Sequence, residues 1–312
     1  TEKPKRVVLS ADALRASAVA TASAIGVGGW VLALPLSYIA GIMVGVRALV
    51  ADQPLVDLRA ESFDAEHFAS EVTTLPTGTW FTSLVPTQLA RLVDAAEKSE
   101  EARSAFARFD AILVGGQAIP AGLVQRAAEH GARIIRTYGS AETAGGVVYD
   151  GVPIGDTELR ITADGILEIR TSSLASGYLD DDERTTRSFA DGWYRTSDRA
   201  HFVDGKLVID GRADDVIITG GIKVSLGDIE RTLDAHGVTA YASWFTDEQW
   251  GQVPALVTTE HLEYGEIRDV IERELGKAAR PYRIVRVDAI PLLVSGKVDR
   301  RRLLEIVDND KP

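Results

Sequence analysis

Cysteine is absent from this chain of 312 residues. Without thiols the protein can form no disulfide, no thiolate nucleophile and no thiolate metal site. A secretory signal pattern is also absent, so we expect a cytoplasmic protein. The hydrophobic content of 45% is enough for a substantial core. A chain of this length fits two domains better than one.

Basic residues are in deficit, with 34 Lys and Arg against 46 Asp and Glu, which gives a formal net charge of -12. Affinity for nucleic acid depends largely on Lys and Arg side chains that neutralise phosphates. The charge balance therefore argues against a nucleic-acid partner. Any anionic ligand must be held by local groups.

Long apolar runs are scarce, and residues 31–50 form the one candidate for a membrane span. This run contains Pro35 and Arg47. A charged side chain in the middle of a span is costly in hydrocarbon. We therefore predict no membrane span here, but a buried strand, a turn at Pro35 and a helix.

The first half of the chain alternates short apolar runs with helical patterns, which is typical of parallel strands covered by helices. The predicted strands are residues 30–34, 80–85, 111–114 and 133–137. The predicted helices are residues 11–25, 39–50, 86–99 and 121–130, the last stopped by Gly131. This half is predicted to have an α/β fold.

The second half has a different pattern of predicted secondary structure. From about residue 155 short strands are joined by Asp164-Gly165 and Asp204-Gly205, which are strong hairpin signals. They predict a β-rich subdomain over residues 155–213 within a large domain of residues 1–213. Residues 214–312 predict a small α+β domain, with strands at 216–219, before 259 and at 283–287, and helices at 228–236 and 265–275.

The predicted strand 133–137 is followed by a polar segment. Residues 138–143 read Tyr-Gly-Ser-Ala-Glu-Thr and are predicted to form a turn at the strand's carboxyl end, where open α/β sheets place their ligands. The segment resembles the Tyr-Gly-x-x-Glu core motif of adenylate-forming enzymes, which include acyl-CoA synthetases, firefly luciferase and nonribosomal adenylation domains. The resemblance implies that Tyr138 packs on adenine and that Glu142 binds Mg²⁺, which prefers hard oxygen ligands.

The same segment departs from the family pattern at one position. Ala141 stands where many members have a hydroxyl residue. A hydroxyl contact to phosphate or to the acyl group would have to come from Ser140 or Thr143 instead. Gly139 and Ser140 are counted with the nucleotide site.

Two further motifs follow in the family's order. Residues 192–198 resemble the Gly-Trp-x-x-Thr-Gly-Asp motif, with serine at 197 in place of glycine, which implies that Asp198 accepts both ribose hydroxyls. Residues 211–217 match the Gly-Arg-x-Asp-Asp-x-Ile hinge motif. This match implies that Arg212 lies near the ribose and that Asp214 is the pivot about which the small domain rotates.

Near the end, residues 291–300 resemble the family's Ser-Gly-Lys loop. In relatives this lysine enters the active site for adenylation, which assigns that role to Lys297. A compact ammonium group can contact the α-phosphate and the substrate carboxylate together. Four motifs in the family's order make coincidence improbable.

Glycine-rich turns and the first residues agree with this resemblance. Gly115, Gly116 and Gln117 resemble the turn whose backbone lies against adenine. Gly220-Gly221 resembles the pair that lines the pantetheine channel, where glycine permits close backbone approach. Residues 1–5, Thr-Glu-Lys-Pro-Lys, resemble the tail of the phosphate loop. Lys5 supplies the basic residue of that loop. Glu2 stands where the loop has a glycine, and its negative charge should repel phosphate. The sequence has no initiator methionine, which is expected of a fragment or a trimmed record.

The acid substrate is indicated by residues 34–41, which resemble the Pro-x-x-His-x-x-Gly segment of o-succinylbenzoate-CoA ligases of menaquinone biosynthesis. Tyr38 stands at the position of the histidine. The substrate has two carboxylates, and the spare one must meet a cation or oriented donors. The candidates are Arg47, Ser37 and the backbone near Gly145-Gly146, and the alternative is that Arg47 pairs with a structural carboxylate.

The resemblance implies an AMP- and pyrophosphate-forming ligase that uses ATP, Mg²⁺ and coenzyme A. Three functions stay open from the sequence: an o-succinylbenzoate ligase, a ligase for another acid, and a non-catalytic nucleotide-binding relative. The implied partners are small-molecule substrates. The oligomeric state is left open, with a homodimer as one option.

Overall fold

The computed structural model describes residues 5–60, 62–293 and 296–310. Glu2, to which the sequence assigned a repulsive effect on phosphate, lies outside the described residues. Contacts between Cα atoms divide the chain into two compact units. The larger unit runs through Thr196 and includes Phe202–Val208. The smaller unit comprises Ser197–His201, Ile209–Leu293 and the chain from Lys297.

The described residues form α-helices and two short 3-10 helices at Ala141–Thr143 and Lys277–Ala279. The α-helices are α1 Ala11–Ile25, α2 Ile39–Val50, α3 Ala65–Thr73, α4 Pro86–Ala96, α5 Glu100–Phe106, α6 Ala121–Glu129, α7 Asp182–Ser188, α8 Leu226–Ala235, α9 Tyr264–Leu275 and α10 Arg300–Asn309.

The strands pair into four sheets, two of which build the cores of the two units. The strands are β1 Val7–Val8, β2 Gly29–Leu32, β3 Leu55–Asp57, β4 Trp80–Leu84, β5 Ala111–Gly115, β6 Ile134–Ser140, β7 Gly145–Tyr149, β8 Val152–Pro153, β9 Glu158–Ile161, β10 Ile166–Arg170, β11 Gly177–Tyr178, β12 Phe189–Ala190, β13 Trp193–Val203, β14 Lys206–Arg212, β15 Val216–Thr219, β16 Ile222–Ser225, β17 Tyr241–Asp247, β18 Gly251–Thr258 and β19 Arg283–Arg286.

The main sheet of the larger unit has seven strands in the order β3-β2-β4-β5-β6-β7-β8. Strands β3 to β6 pair in parallel, and β7 and β8 pair antiparallel. Neighbouring residues of β4 point to opposite faces, so Trp80 and Phe81 belong to different buried clusters. Both faces are therefore covered, and the predicted α/β architecture is confirmed.

Residues 31–50 form the predicted strand, turn and helix. Strand β2 is buried along its whole length, and α2 begins and ends at the predicted residues. Helix α1 also has its predicted bounds and is capped by the Ser10 hydroxyl, which accepts from the Ala13 amide. No helix of the described residues is long and apolar enough to cross a membrane.

The turn predicted directly after residue 137 is wrong. Strand β6 continues through Tyr138, Gly139 and Ser140 because β7 folds back on it as an antiparallel neighbour. The pairing shifts register between Tyr138 and Gly139. The change of direction comes instead at the 3-10 helix Ala141–Thr143 and at Ala144, which has a left-handed backbone with φ of 50°.

The two predicted Asp-Gly hairpins are present. Asp164-Gly165 joins β9 to β10, which pair antiparallel. Asp204-Gly205 joins β13 to β14, with φ of 49° and 76°, the left-handed conformation that a two-residue hairpin turn needs at both positions.

The smaller unit folds around a five-stranded sheet in the order β16-β15-β18-β17, with β19 parallel to β18. Helices α8 and α9 bury Ile229, Leu233 and Ile271 in one cluster. Helix α10 buries Leu303 in a second cluster. Helix α10 and strand β16 of this unit were not predicted from the sequence. In the larger unit, helices α3, α5 and α7 and strands β1, β3, β7 and β8 were not predicted either.

Candidate active site

Two neighbouring strand ends of the main sheet carry the candidate adenine site. Gly115 ends β5 and pairs with Thr137 of β6. A Cβ atom at Gly115 would lie 2.3 Å from the Thr137 hydroxyl oxygen, so only glycine fits. Gly116 follows with φ of +88°. The structure thus places Gly115 beside Thr137, the residue that precedes Tyr138, and Gly116 and Gln117 follow directly.

Glu142 is buried, with 8% of its surface exposed, in the 3-10 helix after β6. The Tyr178 hydroxyl donates to its Oε1 over 2.8 Å. Burial, and then the Glu142 charge, raise the pKa of Tyr178 to about 12. Tyr178 therefore stays a donor at neutral pH. No sequence motif indicated Tyr178, because it lies 36 positions away from Glu142 on the two-residue strand β11.

The Glu142 carboxylate suits a Mg²⁺ ion bound together with a nucleotide. Among the described residues, its Oε2 has no hydrogen-bond partner. Mg²⁺ is often held by one or two carboxylates together with substrate phosphates and water. No group of three or more His, Asp or Glu side chains in the described part of the chain could form an all-protein cage. A single carboxylate with one oxygen available fits a metal that arrives with the phosphates.

Ser140 and Thr143 differ in whether their hydroxyls are available. Thr143 is fully buried, accepts from the Ser140 amide over 2.9 Å and donates to the Gly145 carbonyl over 2.7 Å. The Ser140 hydroxyl is buried and has no hydrogen-bond partner among the described residues. Since a buried polar group without a partner is costly, Ser140 is the better candidate to supply the hydroxyl that alanine cannot offer at position 141.

Arg47 is a buried cation, 6% exposed, on α2. Its Nε donates to the Thr21 hydroxyl over 3.2 Å and its Nη1 to the Ser83 hydroxyl over 3.4 Å. Its guanidinium lies 5.1 Å from the centre of the Trp30 ring. No carboxylate of the described residues lies within 4.0 Å of Arg47, so the alternative of a structural ion pair is wrong.

Main chain at glycine positions lies beside the Arg47 guanidinium. A Cβ atom at Gly145 would lie 3.8 Å from Nη2 of Arg47 and 3.3 Å from Met43 Cγ. A Cβ atom at Gly139 would lie 2.0 Å from the Gly145 carbonyl oxygen. A Cβ atom at Gly146 would lie 3.0 Å from Tyr149 Cε1. The structure thus places Gly145 beside Arg47, so two of the three candidate groups for the spare carboxylate are neighbours.

Ser37 and Tyr38 are placed differently from Arg47. Both are exposed in the turn before α2, and Tyr38 is its N-cap residue. Gly41 holds this turn close, because a Cβ atom there would lie 2.3 Å from the Pro35 carbonyl oxygen. These two side chains are therefore not part of the buried group around Arg47.

In the smaller unit, Arg212 lies between two candidate site carboxylates. It donates to both Asp214 carboxylate oxygens, over 2.8 Å and 2.6 Å, and its Nη1 lies 3.9 Å from Asp198. The hydrogen bonds that Arg212 donates to Asp214, and less strongly the neighbouring negative charges, raise the pKa of Arg212. Asp198, which is predicted to bind the ribose, and Asp214, the predicted pivot, thus share the positive charge of Arg212.

The remaining candidates lie on turns and exposed segments. Gly220 and Gly221 connect β15 to β16 with φ of +56° and +84°. Lys297 is exposed, and its carbonyl accepts from the Leu293 amide over 2.7 Å where the loop closes. Lys5 is also exposed. Ser295 of the Ser-Gly-Lys loop lies outside the described residues.

Known proteins resemble this chain over nearly its whole length. A probable 2-succinylbenzoate–CoA ligase of Mycobacterium tuberculosis is 36% identical over 97% of this chain and 81% of its own. The 2-succinylbenzoate–CoA ligase of Escherichia coli is 29% identical over 100% of this chain and 68% of its own.

Solved structures agree with the sequence relatives. An arginine-to-lysine variant of E. coli MenE with bound OSB-AMS has a TM-score of 0.79 at 28% identity, over 99% of this chain and 67% of that chain. MenE of Bacillus subtilis in complex with the acyl-adenylate intermediate OSB-AMP has a TM-score of 0.81 at 25% identity, over 97% and 66%. The family described as AMP-binding enzyme matches residues 1–179. The chain therefore belongs to the AMP-binding enzyme family.

Proposed function

We propose that this chain ligates o-succinylbenzoate to coenzyme A with ATP, through an acyl-adenylate. The relatives named above supply the reaction class. The observation that carries the choice of acid is Arg47, a buried cation without a carboxylate partner in the described residues. A buried charge is stable when it is paired, so this one suits a substrate that brings a second carboxylate.

The first half-reaction forms the acyl-adenylate. An oxygen of the succinyl carboxylate attacks the α-phosphorus of ATP, and the bond to pyrophosphate breaks. Both reactants are anions, so fixed cations must be near the reacting atoms. Glu142 would hold Mg²⁺, which neutralises phosphate charge when bound, and Lys297 would contact the α-phosphate and the carboxylate. The Ser140 hydroxyl would supply the contact that Ala141 lacks.

Further residues would hold the nucleotide. We propose that Tyr138 and the turn Gly115–Gln117 bind adenine and that Asp198 accepts the ribose hydroxyls. Arg212 lies close enough to Asp198 to orient that carboxylate. Lys5 would add positive charge near the phosphates.

The second half-reaction transfers the acyl group. The sulfur of coenzyme A attacks the acyl carbon, the thiol proton leaves, and AMP is the leaving group. We propose that the small domain, residues 214–312, rotates about Asp214 between the two steps, which takes Lys297 out and brings Gly220-Gly221 to the pantetheine. One site thereby carries out two reactions in turn. ATP and coenzyme A as co-substrates support a cytoplasmic location.

The test is pyrophosphate release with ATP and Mg²⁺, with and without o-succinylbenzoate, followed by mass detection of the thioester after coenzyme A is added. We expect release that depends on the acid, and formation of o-succinylbenzoyl-CoA. Activity with other acids but not with this one would refute the choice of acid and leave the ligase assignment standing. No activity with any acid of a panel would favour a nucleotide-binding relative.

A further inference from the structure

Helix α1 carries two buried hydroxyl residues that the proposed mechanism does not use. Ser17 is 2% exposed and Thr21 is 1% exposed, and they stand four positions apart on the face that packs inward beside Ala13 and Ala18. Residues four apart lie on one side of a helix. A buried hydroxyl is costly unless it is bonded, so the partners of these two residues are informative.

The hydrogen bonds of Thr21 have only one consistent arrangement. Its hydroxyl oxygen lies 3.2 Å from Arg47 Nε, 2.9 Å from the Tyr149 hydroxyl and 3.0 Å from the Ser17 carbonyl oxygen. An arginine Nε can only donate, and a carbonyl oxygen can only accept. The single proton of Thr21 therefore goes to the Ser17 carbonyl, and Tyr149 must donate to Thr21. All three bonding positions of Thr21 are occupied.

This arrangement fixes the orientation of the Arg47 guanidinium at two of its three nitrogens. Nε is held by Thr21, Nη1 by Ser83, and the Trp30 ring lies 5.1 Å away. Among the described residues Nη2 has no hydrogen-bond partner, and it faces the position that a Gly145 side chain would occupy. The group is therefore anchored at Nε and Nη1, and Nη2 remains available to a ligand.

The same helix also holds the backbone opposite the cation. The Ser17 hydroxyl donates to the Ala144 carbonyl over 2.8 Å. Ala144 precedes Gly145 and follows the 3-10 helix that carries Glu142. A single turn of α1 thus sets the spacing between the guanidinium and the backbone beside it.

We propose that Thr21, with Tyr149 as its donor, is a positioning residue that aims Arg47 at the aryl carboxylate of the acid substrate. The proposal rests on the proposed function, since it assumes that Arg47 meets that carboxylate. Thr21 itself touches no substrate. Its effect should therefore appear in the binding of the acid, not in the binding of ATP.

The test compares three variants of the whole protein. Thr21→Val keeps the shape and removes the hydroxyl, Thr21→Ser keeps the hydroxyl, and Ser23→Ala is the matched control. Ser23 is exposed on the same helix and makes the same kind of bond to a carbonyl four residues earlier, at Val19, over 3.0 Å. The measured quantities are the KM for o-succinylbenzoate, the KM for ATP and kcat.

We expect Thr21→Val to raise the KM for the acid by about tenfold while the KM for ATP stays the same. Thr21→Ser should restore the KM to within about twofold, and Ser23→Ala should change nothing. An unchanged KM in Thr21→Val, an equal rise in both KM values, or failure of Thr21→Ser to restore would overturn the proposal.

Two further results distinguish a wrong positioning role from a variant that does not fold and from a wrong proposed function. If Thr21→Val does not fold, Tyr149→Phe removes only the donor to Thr21 and should still raise the KM for the acid selectively; an unchanged KM there would also refute the positioning role. If the wild-type protein forms no o-succinylbenzoyl thioester, the proposed function is wrong and this proposal falls with it. If it forms the thioester and the variants do not differ, only the positioning role is wrong.

Discussion

Replacing Arg47 with methionine separates a substrate-binding role from a structural one. Methionine has a similar length, no charge and no hydrogen-bond donors. If Arg47 met a structural carboxylate, breaking that pair would lower the free energy of unfolding by about 3–5 kcal/mol. The described residues contain no such carboxylate within 4.0 Å, and Arg47 donates only to the Thr21 and Ser83 hydroxyls. We therefore expect Arg47→Met to lower the free energy of unfolding by about 1–2 kcal/mol, the cost of these two hydrogen bonds and less than the loss of an ion pair.

The same variant should bind the acid much more weakly. A hydrogen bond to a charged group contributes about 1.5–3 kcal/mol. Its removal corresponds to a rise of roughly 10- to 100-fold in the KM for o-succinylbenzoate. Arg126→Met is the matched control, because Arg126 is half-exposed and pairs with Asp94 and Glu97 on the surface. We expect the control to leave the KM for o-succinylbenzoate and the KM for ATP unchanged.

The assay combines urea unfolding with steady-state kinetics on two acids. Benzoylpropionate lacks the ring carboxylate, so the difference between wild type and Arg47→Met should disappear with it. This cycle isolates the interaction between the guanidinium and the carboxylate. If the free energy of unfolding fell by more than about 3 kcal/mol, the conclusion that Arg47 has no structural carboxylate partner would be refuted. An equal rise in KM for both acids would refute the assignment of the carboxylate.

Three further results are expected. Tyr178→Phe should raise the Mg²⁺ concentration for half-maximal pyrophosphate release by roughly tenfold, because Glu142 loses its donor; since the pKa of Tyr178 is about 12, the effect should not vary across the neutral range. Lys297→Ala should lower pyrophosphate release by about 100-fold or more yet still convert a supplied acyl-adenylate to thioester; equal losses in both steps would contradict its role. Ser140→Ala should keep its urea midpoint, because the hydroxyl has no protein partner in the described residues, but raise the KM for ATP about tenfold.

Sequence periodicity predicted the fold where an element is long and locally consistent. Helices α1 and α2 have their predicted bounds because capping and apolar spacing agree along their whole length. Strand β3, with three residues, and helix α5, with seven, are too short to show a period. Helix α10 was not predicted, because it begins with charged residues directly beside the Ser-Gly-Lys loop motif.

Site residues could be predicted from the sequence only where they lie in a family motif. The motif marked Glu142, but its donor Tyr178 comes from a two-residue strand that exists only through its pairing with β1. The sequence indicated Arg47 and left its partner open, since the absence of a nearby carboxylate among the described residues is a property of the packing. Ser17 and Thr21 were visible as hydroxyl residues in an alanine-rich face, but their partners at Ala144 and on β7 are not encoded locally.

The close approach of Gly139 to the Gly145 carbonyl has a practical consequence for engineering. One wall of the proposed acid site is main chain. A single methyl group at Gly139 would displace this wall, since the methyl would lie 2.0 Å from the Gly145 carbonyl oxygen. Libraries that aim at new acids should therefore keep both glycines. Diversity is better placed at Met43, a buried and flexible side chain that lies beside Gly145 and can be shortened without a change in the main chain.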